Sequence, residues 1–281
     1  MAKKRHPFFS YLLHFVKGAV IGATMSVPGV SGGTMALLLR IYDELVTAVG
    51  SFFRNVRHNL LFLFTVAAGG ILGVWLLSKP LLSLLDLYPQ PMTYFFLGVV
   101  AGSIPMLLKK ARVTRMKSSV VLFPLIGAAV TVGLYLVPVG FLSLSVSGWQ
   151  AYLLLGAVGF LTAAAFVLPG ISFTYVLLVL GLYETCLQAI RDFNWSIILP
   201  MGIGLVLGTI VIAKLLESCM EKHPQGTYLV ITGFVISSIV MQLFDQSVGW
   251  PQGGMIPICI LTFLLGALFV LAISRDYKSK R

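Results

Sequence analysis

A chain of 281 residues with 58% hydrophobic and only 10% charged residues lies far outside soluble composition, in which about a quarter of residues carry charge. The formal charge of +11 does not indicate nucleic acid, because the basic residues occupy short segments between apolar runs rather than one folded face. What remains is a chain whose solvent is lipid, with a mean hydropathy of +0.97.

Lys3, Lys4 and Arg5 precede the first apolar run as a signal peptide's basic region would, but no small-residue cleavage motif follows. The segment is therefore read as retained, and residues 1–281 as a single transmembrane domain. Apolar runs of about 17–23 residues then recur from Tyr11 to Ile273, each matching the ~30 Å hydrocarbon core at 1.5 Å per residue. In chain order they predict a hairpin interrupted by Pro-Gly, over about 11–27 and 31–50, then helices near 60–79, 92–108 and 119–138. A second interrupted hairpin follows over about 151–168 and 171–190, then helices near 196–216, 227–244 and 255–273. Hydrophobicity all round favours helix, since a lipid-exposed backbone must satisfy its own hydrogen bonds.

The second set of elements repeats the first. PGVSGGTMALLLRIYDEL from Pro28 returns as PGISFTYVLLVLGLYETC from Pro169, an offset of 141 that also aligns Gly18 with Gly159 and Tyr42 with Tyr183. Gly73, Lys79, Pro89 and Gly98 align with Gly208, Lys214, Pro224 and Gly233 at 135, and Pro124 and Gly133 with Pro257 and Gly266 at 133. The expected fold is all-α, with two repeats, 8–140 and 149–273, each a re-entrant helical hairpin plus three transmembrane helices.

Charge sets the expected orientation, because Lys and Arg in short loops stay cytoplasmic. If each hairpin returns to its starting side, segments 1–10, 51–59, 109–118, 217–226 and 274–281 share one face and hold 15 of the 20 basic residues. Segments 80–91, 139–148, 191–195 and 245–254 hold only Arg191, with Lys79 at a boundary. Both termini are then cytoplasmic. Three crossings after each hairpin make the second repeat enter from the opposite face, so the repeats are inverted, as in many secondary transporters.

The chemistry is expected at the hairpin turns. Pro28 and Gly29 stop the incoming leg, Ser31 is placed to cap the outgoing helix, and Gly32 and Gly33 let a ligand approach the backbone. Thr34 belongs to the same site, as do Pro169, Gly170, Ser172 and Thr174 in the second copy. Helix N-termini aimed at the bilayer centre favour phosphate or carboxylate. The bland alternative is that these are packing turns whose small residues allow close helix contact. Lys17 and Arg40, each about ten residues from a tip, either snorkel to the interface or receive an anionic headgroup, and Arg40 has Glu44 four residues on.

Cys186, Cys219 and Cys259 are odd in number and far apart, and His6, His14, His58 and His223 are scattered, so neither a disulfide framework nor a metal or other cofactor is expected. Ser31 and Ser172 have no visible general base, so an intramembrane phosphatase or transferase is the weaker alternative and the chain is read as a non-enzyme. A carrier of small organic anions is the other alternative.

On VPGVSGGTMALLLRIYDEL from Val27 and LPGISFTYVLLVLGLYET from Leu168, the chain resembles the PopT family of bacterial undecaprenyl-phosphate translocases over nearly its whole length. The resemblance implies a multi-pass protein of the cytoplasmic membrane that returns undecaprenyl phosphate to the inner leaflet, with that lipid and surrounding membrane lipids as its partners. Two positions depart from the family pattern: Arg40 stands where Gly is usual, and Phe173 where a small residue is common.

Overall fold

The computed structural model describes residues 7–27, 30–113, 118–140, 148–244 and 249–276. Among them every regular element is helical. The first half runs α1 (Pro7–Met25), α2 (Gly32–Leu38), α3 (Tyr42–Gly50), α4 (Val56–Leu87), α5 (Pro89–Ala101), α6 (Ile104–Lys110) and α7 (Ser118–Leu136). The second runs α8 (Trp149–Val167), α9 (Phe173–Val179), α10 (Tyr183–Arg191), α11 (Trp195–Lys222), α12 (Pro224–Phe244) and α13 (Met255–Asp276). Seven helical stretches among the described residues are long and apolar enough to cross a membrane, which makes this a multi-pass membrane protein.

Each half opens with two parallel helices in backbone contact. A Cβ at Gly18 would lie 2.2 Å from the Val66 carbonyl oxygen, and one at Gly73 2.0 Å from that of Ala19, so α1 and α4 advance in the same direction. The second half repeats the arrangement: Gly159 lies on Met201 and Gly208 on Phe160, joining α8 to α11. Only small residues permit this approach, and close backbone packing replaces the hydrophobic driving force that lipid cannot supply. Parallel packing has a consequence for the chain path. Whatever links α1 to α4, or α8 to α11, must return the chain to the side where it began.

The return legs differ from the continuous helices expected over 31–50 and 171–190. Each breaks after seven residues, and α9 and α10 are bent by 110°. The cause is a pair of matching Schellman turns. Arg40 N–H donates to Leu37 O and Ile41 N–H to Ala36 O, while Gly181 and Leu182 donate to Leu178 and Leu177 in the same pattern. The residue at the turn is left-handed in both, with φ +58° at Arg40 and +70° at Gly181. An L side chain in that region costs about 1–2 kcal/mol, so Arg40, matched by Gly181 in the second half, carries strain in the first. The break also removes the helical Arg40–Glu44 spacing expected from sequence.

Other boundaries shift as well. α4 continues through Lys79 and Pro80 to Leu87, and α11 to Lys222, so much of the expected loops 80–91 and 217–226 is helix. The run expected at 92–108 is two helices, α5 and α6, divided at Gly102 and Ser103. The halves then interlock: α5 packs on α13, and α12 on α7. At one end of the bundle Ser51 Oγ donates to Glu217 Oε2 at 2.8 Å, Lys110 pairs with Asp43, and Lys110 Nζ lies 5.2 Å from the Tyr228 ring centre. At the other, Gln90 Nε2 donates to the Trp250 carbonyl at 3.4 Å.

Candidate functional site at the paired helical turns

The turns at the ends of α1 and α8 meet. Gly170 N–H donates to Thr34 Oγ1 at 3.1 Å, and a Cβ at Gly33 would sit 3.2–3.3 Å from Pro169 N, Pro169 Cα and Val167 O. Tyr42 OH donates to the Val167 carbonyl at 3.1 Å, satisfying a carbonyl that the end of α8 leaves without a helical partner. Segments 125–136 residues apart in sequence thus share two hydrogen bonds inside apolar surroundings. Their level follows from the neighbours. Ser26 Oγ is 2.6 Å from Ser78 Oγ, about 10 Å past the middle of α4 at 1.5 Å per residue, and Ala163 lies against Gly208 at the middle of α11. α8 ends four residues further on, about 6 Å at 1.5 Å per residue.

The residues expected at this site divide by accessibility. Ser31, Gly32 and Ser172 are half-buried and Thr174 is exposed, whereas Gly33, Thr34, Pro169 and Gly170 are buried. Thr34 is only 1% exposed, and its hydroxyl is committed to Gly170. The absence of a side chain at Gly33 serves the approach of Pro169, and that at Gly170, with φ +84°, the approach of α12 at Phe234 and Val235. Pro28 and Gly29 lie outside the described residues.

Ser31 and Ser172 occupy matching N-cap positions, each accepting the first helical bond on its carbonyl, from Met35 N and Val176 N at 3.1 Å. Their hydroxyls differ. Ser172 Oγ accepts from Tyr175 N at 3.3 Å, whereas the Ser31 side chain makes no capping bond.

Lys17 and Arg40 are both half-buried and lie away from the tips, and Lys17 is within electrostatic reach of Glu44 and Arg40. Glu44 Oε2 sits 3.8 Å from His14 Nε2, and the His14 ring stands edge-on to Phe62 at 5.0 Å. The sequence reading missed this His14–Glu44 pair and the Lys110–Asp43 pair. Both join residues at separations that no periodicity links. The one available signal was a group of charges, Asp43 and Glu44, inside an otherwise apolar hairpin. Among the described residues no cluster of His, Cys, Asp and Glu is arranged to hold a metal ion.

Comparison with known proteins agrees with this architecture of membrane helices. Residues 21–251 match the VCA0040-like family, described as undecaprenyl phosphate translocase-like. The polyprenyl-phosphate transporter of Staphylococcus aureus is 31% identical over 278 residues, covering 94% of this chain and 96% of that protein. The polyprenyl-phosphate transporter of Vibrio cholerae serotype O1 is 28% identical over 246 residues, covering 82% and 77%. No solved structure matches the chain. A match that spans most of the chain and includes both Pro-Gly turns places this protein in the undecaprenyl phosphate translocase-like family.

Proposed function

We propose that the protein moves a polyprenyl phosphate, undecaprenyl phosphate in particular, between the leaflets of the bacterial cytoplasmic membrane and that it does so as a transporter rather than an enzyme. The paired turns are the headgroup site in this reading. The observation that carries it is the Gly170–Thr34 hydrogen bond, which joins the segments following α1 and α8 inside the helical bundle, with Ser31, Gly32, Ser172 and Thr174 at least partly accessible.

The reading treats 8–140 and 149–273 as inverted repeats with re-entrant hairpins. Support comes from the matching contacts of α1 with α4 and α8 with α11, and from first legs that end about 6–10 Å past the middle of their long partners, before those partners end. Orientation follows from charge: the face gathering Ser51, Lys110, Glu217 and Tyr228 is cytoplasmic, as are both termini. In such a frame each serine hydroxyl can meet the phosphate as access alternates, while the prenyl chain stays in lipid. The reading counts Pro28 and Gly29 among the headgroup residues, and Lys17 and Arg40 as receiving the headgroup on the inner side.

Proteoliposomes holding the purified protein and radiolabelled undecaprenyl phosphate test this. Protein-dependent movement of intact lipid between leaflets is the expected result. Release of inorganic phosphate would instead indicate a phosphatase, and inhibition by short soluble phosphates a carrier of small anions.

A further inference from the structure

A groove of about 790 Å³ runs between α11 and α12, within the size range of pockets that hold drug-sized ligands. At its mouth stand the exposed side chains of Lys222 and His223. Its walls are apolar, formed along α11 by Ile212 and on the opposite side by Val230 of α12 and Phe123 of α7. Leu168 closes the deep end, directly before the Pro169–Gly170 turn. Lys222 and Ile212 are ten residues apart on one helix, so the groove measures about 15 Å from its basic mouth to its apolar depth.

The first half has no such chemistry at the matching positions. At the offset of 135, Lys222, His223 and Gly226 correspond to Leu87, Tyr88 and Pro91, and Val230 to Phe95. The neighbouring Gln90 is bonded across to Trp250. Where the first half carries apolar bulk, the second carries two basic groups and a glycine, and the atoms nearest an added Cβ at Gly226 are those of the Phe123 ring, at 3.4–3.7 Å. An all-apolar furrow would accept any lipid chain. A furrow capped at one end by an ammonium and an imidazole suits an amphiphile with one anionic end.

We propose that this groove binds a single-chain lipid bearing a phosphate monoester, with the phosphate between Lys222 and His223 and the chain lying past Ile212 and Val230 toward Leu168. The inference rests on the transport reading above and adds a docking place, its basic pair supplied by the second half, that leads to the second Pro-Gly turn.

The test uses full-length protein in detergent with radiolabelled farnesyl monophosphate, farnesol and inorganic phosphate as probes. Lys222→Gln with His223→Gln should weaken farnesyl monophosphate binding about tenfold and leave farnesol binding unchanged. Filling the groove with Gly226→Leu should weaken both lipids at least fivefold, and Ile212→Trp serves as a second filling variant should Gly226→Leu fail to fold. Inorganic phosphate should not displace the lipid at equal concentration. Wild-type affinity in the folded basic-pair and filling variants, with binding lost in Ser31→Ala/Ser172→Ala, would reject the groove and leave the paired-turn site standing. Displacement by equimolar inorganic phosphate would reject an amphiphile site. No binding by the wild type, together with no movement of undecaprenyl phosphate in vesicles, would overturn both readings.

Discussion

The return legs α2–α3 and α9–α10 break at matching turns but are buried to different degrees. In the first, α2 is buried from Gly33 to Leu38, Thr34 and Tyr42 both reach across to the other half, and Asp43 is held by Lys110. In the second, Thr174 and Glu184 are exposed and Tyr183 is half-buried. Tyr175, at the position matching Thr34, turns away to stack on Tyr135 at 3.9 Å. The two halves share paired Schellman turns, while the side chains around them differ. The first return leg is the more buried and more bonded of the two, and the second presents more of its surface.

Substitutions at matching positions break or sharpen this contrast. The largest effect is expected at Gly170. An added Cβ would lie 2.6 Å from the backbone of Phe234 at a φ of +84°, so Gly170→Val combines steric overlap with left-handed strain, together about 3 kcal/mol or more. Thermal unfolding in detergent should show a marked fall. Gly33→Ala, with its contacts at 3.2–3.3 Å, should cost clearly less.

Next comes the tyrosine pair. Tyr42→Phe leaves the buried Val167 carbonyl without its partner and should destabilise by about 1–3 kcal/mol, while Tyr183→Phe should change stability by less than about 0.5 kcal/mol. Equal losses at the two positions would remove the distinction between a fixed and an open hairpin.

The turn residues provide a smaller effect of opposite sign. Replacing Arg40 with Gly relieves a left-handed side chain, so Arg40→Gly should be more stable than Arg40→Ala by about 1 kcal/mol, and Gly181→Ala should lose a similar amount. Comparison with Arg40→Ala separates backbone strain from loss of the guanidinium. The smallest contrast is at the caps. Ser172→Ala removes a capping bond and should cost about 1 kcal/mol, while Ser31→Ala, whose hydroxyl does not cap, should be nearly neutral in stability.

These contrasts also mark what the sequence could convey. Periodic and composition-driven features were legible: the helical class, the order of apolar runs, and the fixed offset that pairs Gly18 with Gly159 and Gly73 with Gly208, residues that make matching contacts in the fold. The kinks at Arg40 and Gly181 were not. Arg40 disguises a position whose left-handed geometry only its glycine counterpart reveals. Helix ends beyond Lys79 and Leu216 were also missed, because charged side chains marked the edge of lipid rather than the end of the helix. Tyr42 bonded to Val167 and Glu44 near His14 depend on how the hairpins cross, which a one-dimensional pattern does not contain. At the Pro-Gly motifs the fold allots Gly33 and Gly170 to packing, while Ser31, Gly32 and Ser172 are half-buried and Thr174 is exposed, a division the motif itself does not contain.

The central claim is that turns from both halves form one headgroup site. A double-mutant cycle on prenyl-phosphate affinity, using Ser31→Ala, Ser172→Ala and the pair, tests it most directly. One site per chain predicts a single binding event, losses of about 1.5–3 kcal/mol for each charge-assisted hydrogen bond removed, and a coupling between the serines of at least about 0.5 kcal/mol. Strictly additive losses at two independent sites, or wild-type affinity in all three folded variants, would contradict the account and reduce the Pro-Gly motifs to packing turns.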